Sequence, residues 1–100
     1  MKPWIHAQRS VKRYGGVLED YIHIHEFMDI SKGAIADNRH RALTHNSWFV
    51  MHILPAVFGN HLLNSDGRKV AIRQLGEDHV LEDFKGRFIP TAADYIQEME

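Results

Sequence analysis

The sequence predicts a mainly α fold, a small single-domain helical bundle over residues 1–100 with one short β-hairpin. Three observations predict it. Apolar residues recur at helical spacing, most persistently from His25 to Gly59. Glycine and proline punctuation falls at Gly15-Gly16, Pro55, Gly59 and Gly86. A single Asp66-Gly67 turn signal stands between two short apolar runs.

In chain order, Trp4 to Tyr14 carries Ile5, Ala7 and Val11 at helical spacing, and Gly15-Gly16 stops it. A second helix starts between Asp20 and Ile24 and runs to about Ala36. At about 100° per residue it puts Tyr21, Ile22, His25, Met28, Asp29 and Lys32 on one side, with His23 and Phe27 opposite. Asp37 or Asn38 caps a third and longest helix, whose core face is Ala42, Leu43, Phe49, Val50, Ile53, Leu54 and Val57. Asn46 falls in that face and demands a buried partner. Pro55 kinks or ends the helix and Gly59 stops it. HLLN and KVAI flank SDGR as the hairpin between His61 and Ile72. A fourth helix, about Ile72 to Phe84, lines up Ile72, Leu75, Gly76, His79 and Asp83, with Gly76 offering a close approach. Thr91 and Asp94 form a loose capping box for a last helix in PTAADYIQEM.

Composition narrows the function classes. With 44% apolar and 25% charged residues the chain is of ordinary globular make-up. A net charge of -1 gives no global pull toward nucleic acid, leaving only the small basic patch of the first helix. No apolar run approaches the roughly 20 residues of a membrane span, and the N-terminus lacks a signal peptide's apolar core. With no cysteine, thiolate metal sites and disulfides are excluded, and a reducing cytoplasm is the compatible setting.

Eight histidines in 100 residues are the compositional anomaly. Two helices repeat one device, His25 with Asp29 and His79 with Asp83, each pair four residues apart on the apolar side, so that imidazole and carboxylate converge on one point. With His45 entering from the third helix, these five residues are candidate ligands of one divalent ion. A nitrogen and oxygen set without sulfur suits zinc, manganese, iron or nickel. His40 is a possible additional ligand, although it lies about 140° from His45 on a regular helix. Arg39, Arg41 and Lys32 near the same helix ends are candidates for binding a phosphate or carboxylate.

Two functional readings follow. In one, the ion activates a water for hydrolysis of a phosphorylated small molecule or nucleotide. In the other, the His–Asp pairs and Asn46 are a buried structural network, and the protein is a non-enzymatic module that binds a host or phage macromolecule. A homodimer is an expected arrangement for so small a helical domain.

The segments HAQRSVKRYGG, EDYIHIHEFMD, ADNRHRALTHN, NSDGRKV, GEDHVLEDF and IPTAADYI carry a resemblance from His6 to Ile96. As a set, the chain resembles an uncharacterised family of small proteins, a domain of unknown function common in phage and prophage genomes. The resemblance implies a phage or prophage origin, a host cytoplasmic setting and a mostly helical fold, and it implies no activity. Helical HD-type phosphohydrolases also gather His and Asp from several helices, but this sequence has no adjacent His-Asp doublet.

Overall fold

Proline at the first turn and glycine past the last set the bounds of the first helix, α1 (Pro3–Tyr14). Pro3 lacks a donor where a helix has no use for one. Gly15, at φ 83°, returns its N–H to the Val11 carbonyl at 2.9 Å and turns the chain away. The computed structural model is described for residues 1–86, 89–91 and 93–94, Asn38 by its backbone alone. Over these residues the protein is mainly helical with one two-stranded antiparallel hairpin, as predicted. No described helix is long and apolar enough to cross a membrane.

After a short 3-10 turn, α2 (Ile22–Met28) runs between α1 and the later helix α5 (Ile72–Asp83) and contacts both. Its buried Ile24, His25 and Met28 face that interior, and His23 is exposed as expected. The expected continuation to Ala36 is corrected. The Met28 carbonyl is taken by the Thr44 hydroxyl at 2.6 Å, the chain tightens at Asp29, and a 3-10 turn follows over Ile30–Gly33. A tertiary hydrogen bond from another helix thus ends α2.

The third helix is also not continuous. A short α3 (Arg41–Thr44) stops at His45, whose ψ of 49° leaves the helical region, and helix resumes over residues 47–58. Asn46 makes this corner. Its Oδ1 accepts from the Phe49 N–H at 2.9 Å as an N-cap, and its Nδ2 donates to the Ala42 carbonyl at 3.0 Å. The buried partner that Asn46 demands is therefore the backbone of its own corner. The second segment widens into a π-helical turn (Phe49–Ile53) ahead of Pro55, which has no N–H to give, and ends as α4 (Leu54–Phe58). Because the corner rotates the two halves relative to each other, the predicted single core face does not survive. Phe49, Val50 and Leu54 are buried, but Leu43 and Val57 are exposed.

Strands β1 (His61–Leu63) and β2 (Lys69–Ala71) pair in the register His61 with Ala71, Leu62 with Val70 and Leu63 with Lys69. Asn64 holds the loop: its Oδ1 accepts from the N–H groups of Asp66 and Arg68, and its Nδ2 donates to the Tyr14 carbonyl and the Tyr21 hydroxyl. The hairpin leads into α5, within one residue of its expected end. A Cβ on Gly76 would strike the Leu54 side chain and lie 3.1 Å from Val50 Cγ1, so this glycine lets the 47–58 segment rest on the backbone of α5. Thr91 and Asp94 exchange the two capping bonds, at 2.7 and 3.2 Å, while most of the expected last helix lies outside the described residues.

Candidate metal centre

Tyr21, Ile24, Met28, Leu54, Ile72, Leu75 and Val80 form an apolar core, and beside it lies an interior that is polar throughout. His6, His25, His45 and His79 are fully buried, with Asp29 at 8% exposure. Helix α1 supplies His6, α2 His25, the α2 terminus Asp29, the α3 corner His45, and α5 His79 and Asp83.

Four of the five expected ligands meet in a ring that alternates imidazole and carboxylate. His45 Nε2 is 2.8 Å from Asp83 Oδ2, which is 3.4 Å from His79 Nε2. That nitrogen is 3.3 Å from Asp29 Oδ1, and Asp29 Oδ1 is 3.6 Å from His45 Nε2. One ligand atom from each of the four lies within 4.8 Å of every other. His25 stands behind this ring, not in it: its Nδ1 is 2.9 Å from His79 Nδ1.

Proton positions follow from the partners of the hydroxyl groups. Ser10 gives its one hydroxyl proton to the His6 carbonyl at 3.2 Å, so its Oγ accepts from His25 Nε2 at 2.8 Å. A neutral His25 then accepts at Nδ1 from His79 Nδ1–H, and the neutral His79 ring is left with a lone pair on Nε2. The other side repeats this logic. Thr44 donates to the Met28 carbonyl, so its Oγ1 accepts from His45 Nδ1–H at 2.9 Å, and the His45 lone pair also falls on Nε2. Both lone pairs point at the two carboxylates. Such a ring repels itself unless a cation occupies it, either a proton or a metal ion.

Charge states agree with this assignment. Burial, reinforced by the neighbouring His79 and His6, pushes His25 down to about 2. Burial likewise pushes His79 down to about 4 against the pull of Asp29. Burial opposes ionisation of Asp29, but contact with His79 and the Lys32 charge prevail and hold it at about 2. Burial opposes ionisation of Asp83 too, but the imidazoles of His45 and His6 beside it prevail and hold it well below the carboxylate range.

Each carboxylate turns its second oxygen outward to a cation. Asp29 Oδ2 lies 3.3 Å from Lys32 Nζ, and Asp83 Oδ1 lies 3.2 Å from His6 Nε2 and 3.8 Å from the Arg41 guanidinium. His6 Nε2 lacks the alignment of a hydrogen bond to Asp83 despite that distance, while its Nδ1 is bonded to Glu82. Burial lowers the affinity of His6 for a proton, but the Asp83 and Glu82 carboxylates raise it further, so its pKa lies above the ordinary value. Arg13 closes this outer layer by pairing with Glu82.

His6, Glu82, Ser10 and Thr44 belong to this site without being among the ligands expected from the sequence. Their signals are faint but present: Ser10 is one helical turn from His6, Thr44 precedes His45, and Glu82 precedes Asp83. Of the candidate anion binders, Lys32 and Arg41 border the ring, whereas Arg39 is exposed and forked onto Asp37 at 2.8 Å. Arg39 lies in the 3-10 turn Asn38–His40 ahead of α3. His40 packs edge-on to the His45 ring at 5.4 Å between centroids, with its Nδ1 on Ser31 at 2.9 Å, and stands outside the four-ligand group.

Comparison with curated proteins and with solved structures gives no match. The family model described as "Domain of unknown function (DUF6915)" matches residues 1–100, and the chain belongs to that family.

Proposed function

We propose that the protein binds one divalent metal ion through Asp29, His45, His79 and Asp83, with His25 and His6 acting behind the ligands. The observation that carries this reading is that Nε2 of both His45 and His79 faces the Asp29 and Asp83 carboxylates, while the Nδ1 atoms engage relays that end on backbone carbonyls and assign the Nε2 lone pairs to the ring. Metal-bound histidines characteristically donate their other nitrogen in this way.

Distances support an ion of this size. Ligands about 2.0–2.1 Å from zinc in a tetrahedron stand about 3.3 Å apart, and those of an octahedral manganese, iron or nickel ion stand about 3.0 Å apart along the short edges. The four ring distances run from 2.8 to 3.6 Å and bracket both values. Zinc in four-coordination would have a closed shell, which suits a structural role. Six-coordination would leave two positions for water and substrate, the arrangement that metal-assisted hydrolysis of a phosphorylated substrate requires.

The 2.8 Å separation of His45 and Asp83 favours a second reading, since a proton fits that gap as a charge-assisted hydrogen bond. The ring is then a buried ionic network inside an interaction module for a host or phage macromolecule. Metal analysis of protein purified without an affinity tag separates the two. One equivalent of metal per chain, with a higher melting temperature on adding zinc, manganese or nickel, supports the centre. Substoichiometric metal and no thermal shift leave the ionic network.

A further inference from the structure

The Arg41 side chain leaves one buried donor unused among the described residues. Its Nε is buried and has no hydrogen-bond partner among the described residues. Among the described residues its one polar contact is the 3.8 Å approach of a terminal nitrogen to Asp83 Oδ1, too long for a hydrogen bond, and its guanidinium carbon lies 5.6 Å from the centroid of the Phe84 ring. A buried donor of this kind calls for an explanation. A guanidinium packed against an aromatic ring, with its Nε–H unspent, is arranged to take two oxygens of a tetrahedral or planar anion through Nε and the neighbouring terminal nitrogen.

Lys32 borders the same ring from the Asp29 side, with 47% of its side chain exposed. Charge then selects the ligand. A divalent ion cancels the two carboxylates that hold it. Arg13 is matched by Glu82, with Asp78 3.7 Å away. The charges of Lys32, of Arg41 and of the Met1 amino group, 3.2 Å from Asp83 Oδ1, then have no carboxylate of their own among the described residues.

We infer that the metal-loaded centre takes a phosphoryl dianion, with Arg41 gripping two of its oxygens through Nε and a terminal nitrogen and Lys32 meeting a third. This rests on the metal reading above. Free phosphate and the terminal phosphate of a monoester share this chemistry; a phosphodiester, with one charge, does not.

The test loads the full chain with Mn2+ and measures the metal content of each sample. Calorimetry then follows binding of inorganic phosphate, phenyl phosphate and dimethyl phosphate to the wild type, Arg41→Gln and Lys32→Gln. The expected result is binding of phosphate or its monoester at least about tenfold tighter than the diester, a difference of about 1.4 kcal/mol. Each substitution should weaken that binding about tenfold or more with metal content unchanged. Binding by phenyl phosphate identifies an ester site, and binding by inorganic phosphate alone a free-ion site. Full metal content with no preference for the dianion, or with affinity untouched in both variants, overturns the inference and leaves the metal centre standing. Phosphate binding by a chain that takes up no metal overturns both.

Discussion

Ser10→Ala tests the proton relay without touching a ligand. Ser10 is fully buried on α1, and its Oγ lies 2.8 Å from His25 Nε2, which connects through a 2.9 Å contact to His79. Removing the hydroxyl leaves the His25 Nε2–H without an acceptor, at a cost of about 1–3 kcal/mol if nothing else moves. The cheaper response moves the His25 proton to Nδ1. That proton now points at His79 Nδ1, so the His79 proton is displaced to Nε2, facing Asp29 Oδ1 at 3.3 Å. The metal-free network is thereby satisfied, and an incoming ion must expel a proton from a ligand atom. Metal affinity should fall about 10–100-fold, the usual consequence of losing an outer partner of a metal-bound histidine, or about 1.4–2.7 kcal/mol. Competition against a chromophoric chelator measures this, with circular dichroism to establish that the variant is folded, and Ser10→Thr, which keeps a hydroxyl, should restore most of the loss. Unchanged affinity in a folded Ser10→Ala protein would refute the relay, whatever its melting temperature.

Three further outcomes follow from the packing and the charge states. Gly76→Ala drives a methyl into Leu54 and Val50 and should destabilise by about 1–3 kcal/mol, read as a lower denaturation midpoint in urea with an unchanged slope. Asn46→Ala removes the cap that starts the 47–58 helix and should cost about 0.5–2 kcal/mol; Asn46→Asp, which keeps the capping oxygen, should cost less, and equal losses in the two variants would remove the capping account. In chelator-treated protein, stability should fall as pH drops from about 6 to 5. His25 and His79 have pKa values of about 2 and 4 when folded against about 6.5 when unfolded, so the unfolded chain binds protons that the folded chain refuses. Each ring contributes as much as about 1.4 kcal/mol per pH unit in that window. Asp29, depressed to about 2, adds its loss below the unfolded carboxylate value of about 3.9. The raised His6 has the opposite dependence, present below about 6.5 and lost as pH rises through its folded value. Stability that rises on acidification from pH 6 to 5 would contradict the neutral assignment of the two rings.

The site was legible where periodicity alone decides direction. His79 and Asp83 share one uninterrupted helix, and their four-residue spacing was enough to bring both to the interior. His25 and Asp29 share a face even though α2 ends between them, because one tight turn preserves the direction of the next side chain. What periodicity could not give was any feature made by a contact distant in the chain. The end of α2 depends on the Thr44 hydroxyl, sixteen positions later. The corner at Asn46 reads, from spacing alone, as an unbroken helix, since asparagine caps as readily as it interrupts, and the error carried Leu43 and Val57 to wrong surroundings. His6 and Ser10 are buried beside Ala7 on the inner side of α1, but both are polar, so a reading that sends apolar residues inward left them out.

An anomalous-scattering map of crystals soaked in manganese or zinc tests the central claim most directly. The account predicts one peak per chain inside the ring, within about 2.0–2.3 Å of His45 Nε2, His79 Nε2 and an oxygen from each of Asp29 and Asp83. A ring that stays without a peak while metal collects on exposed histidines such as His23, His52 or His61 would contradict it.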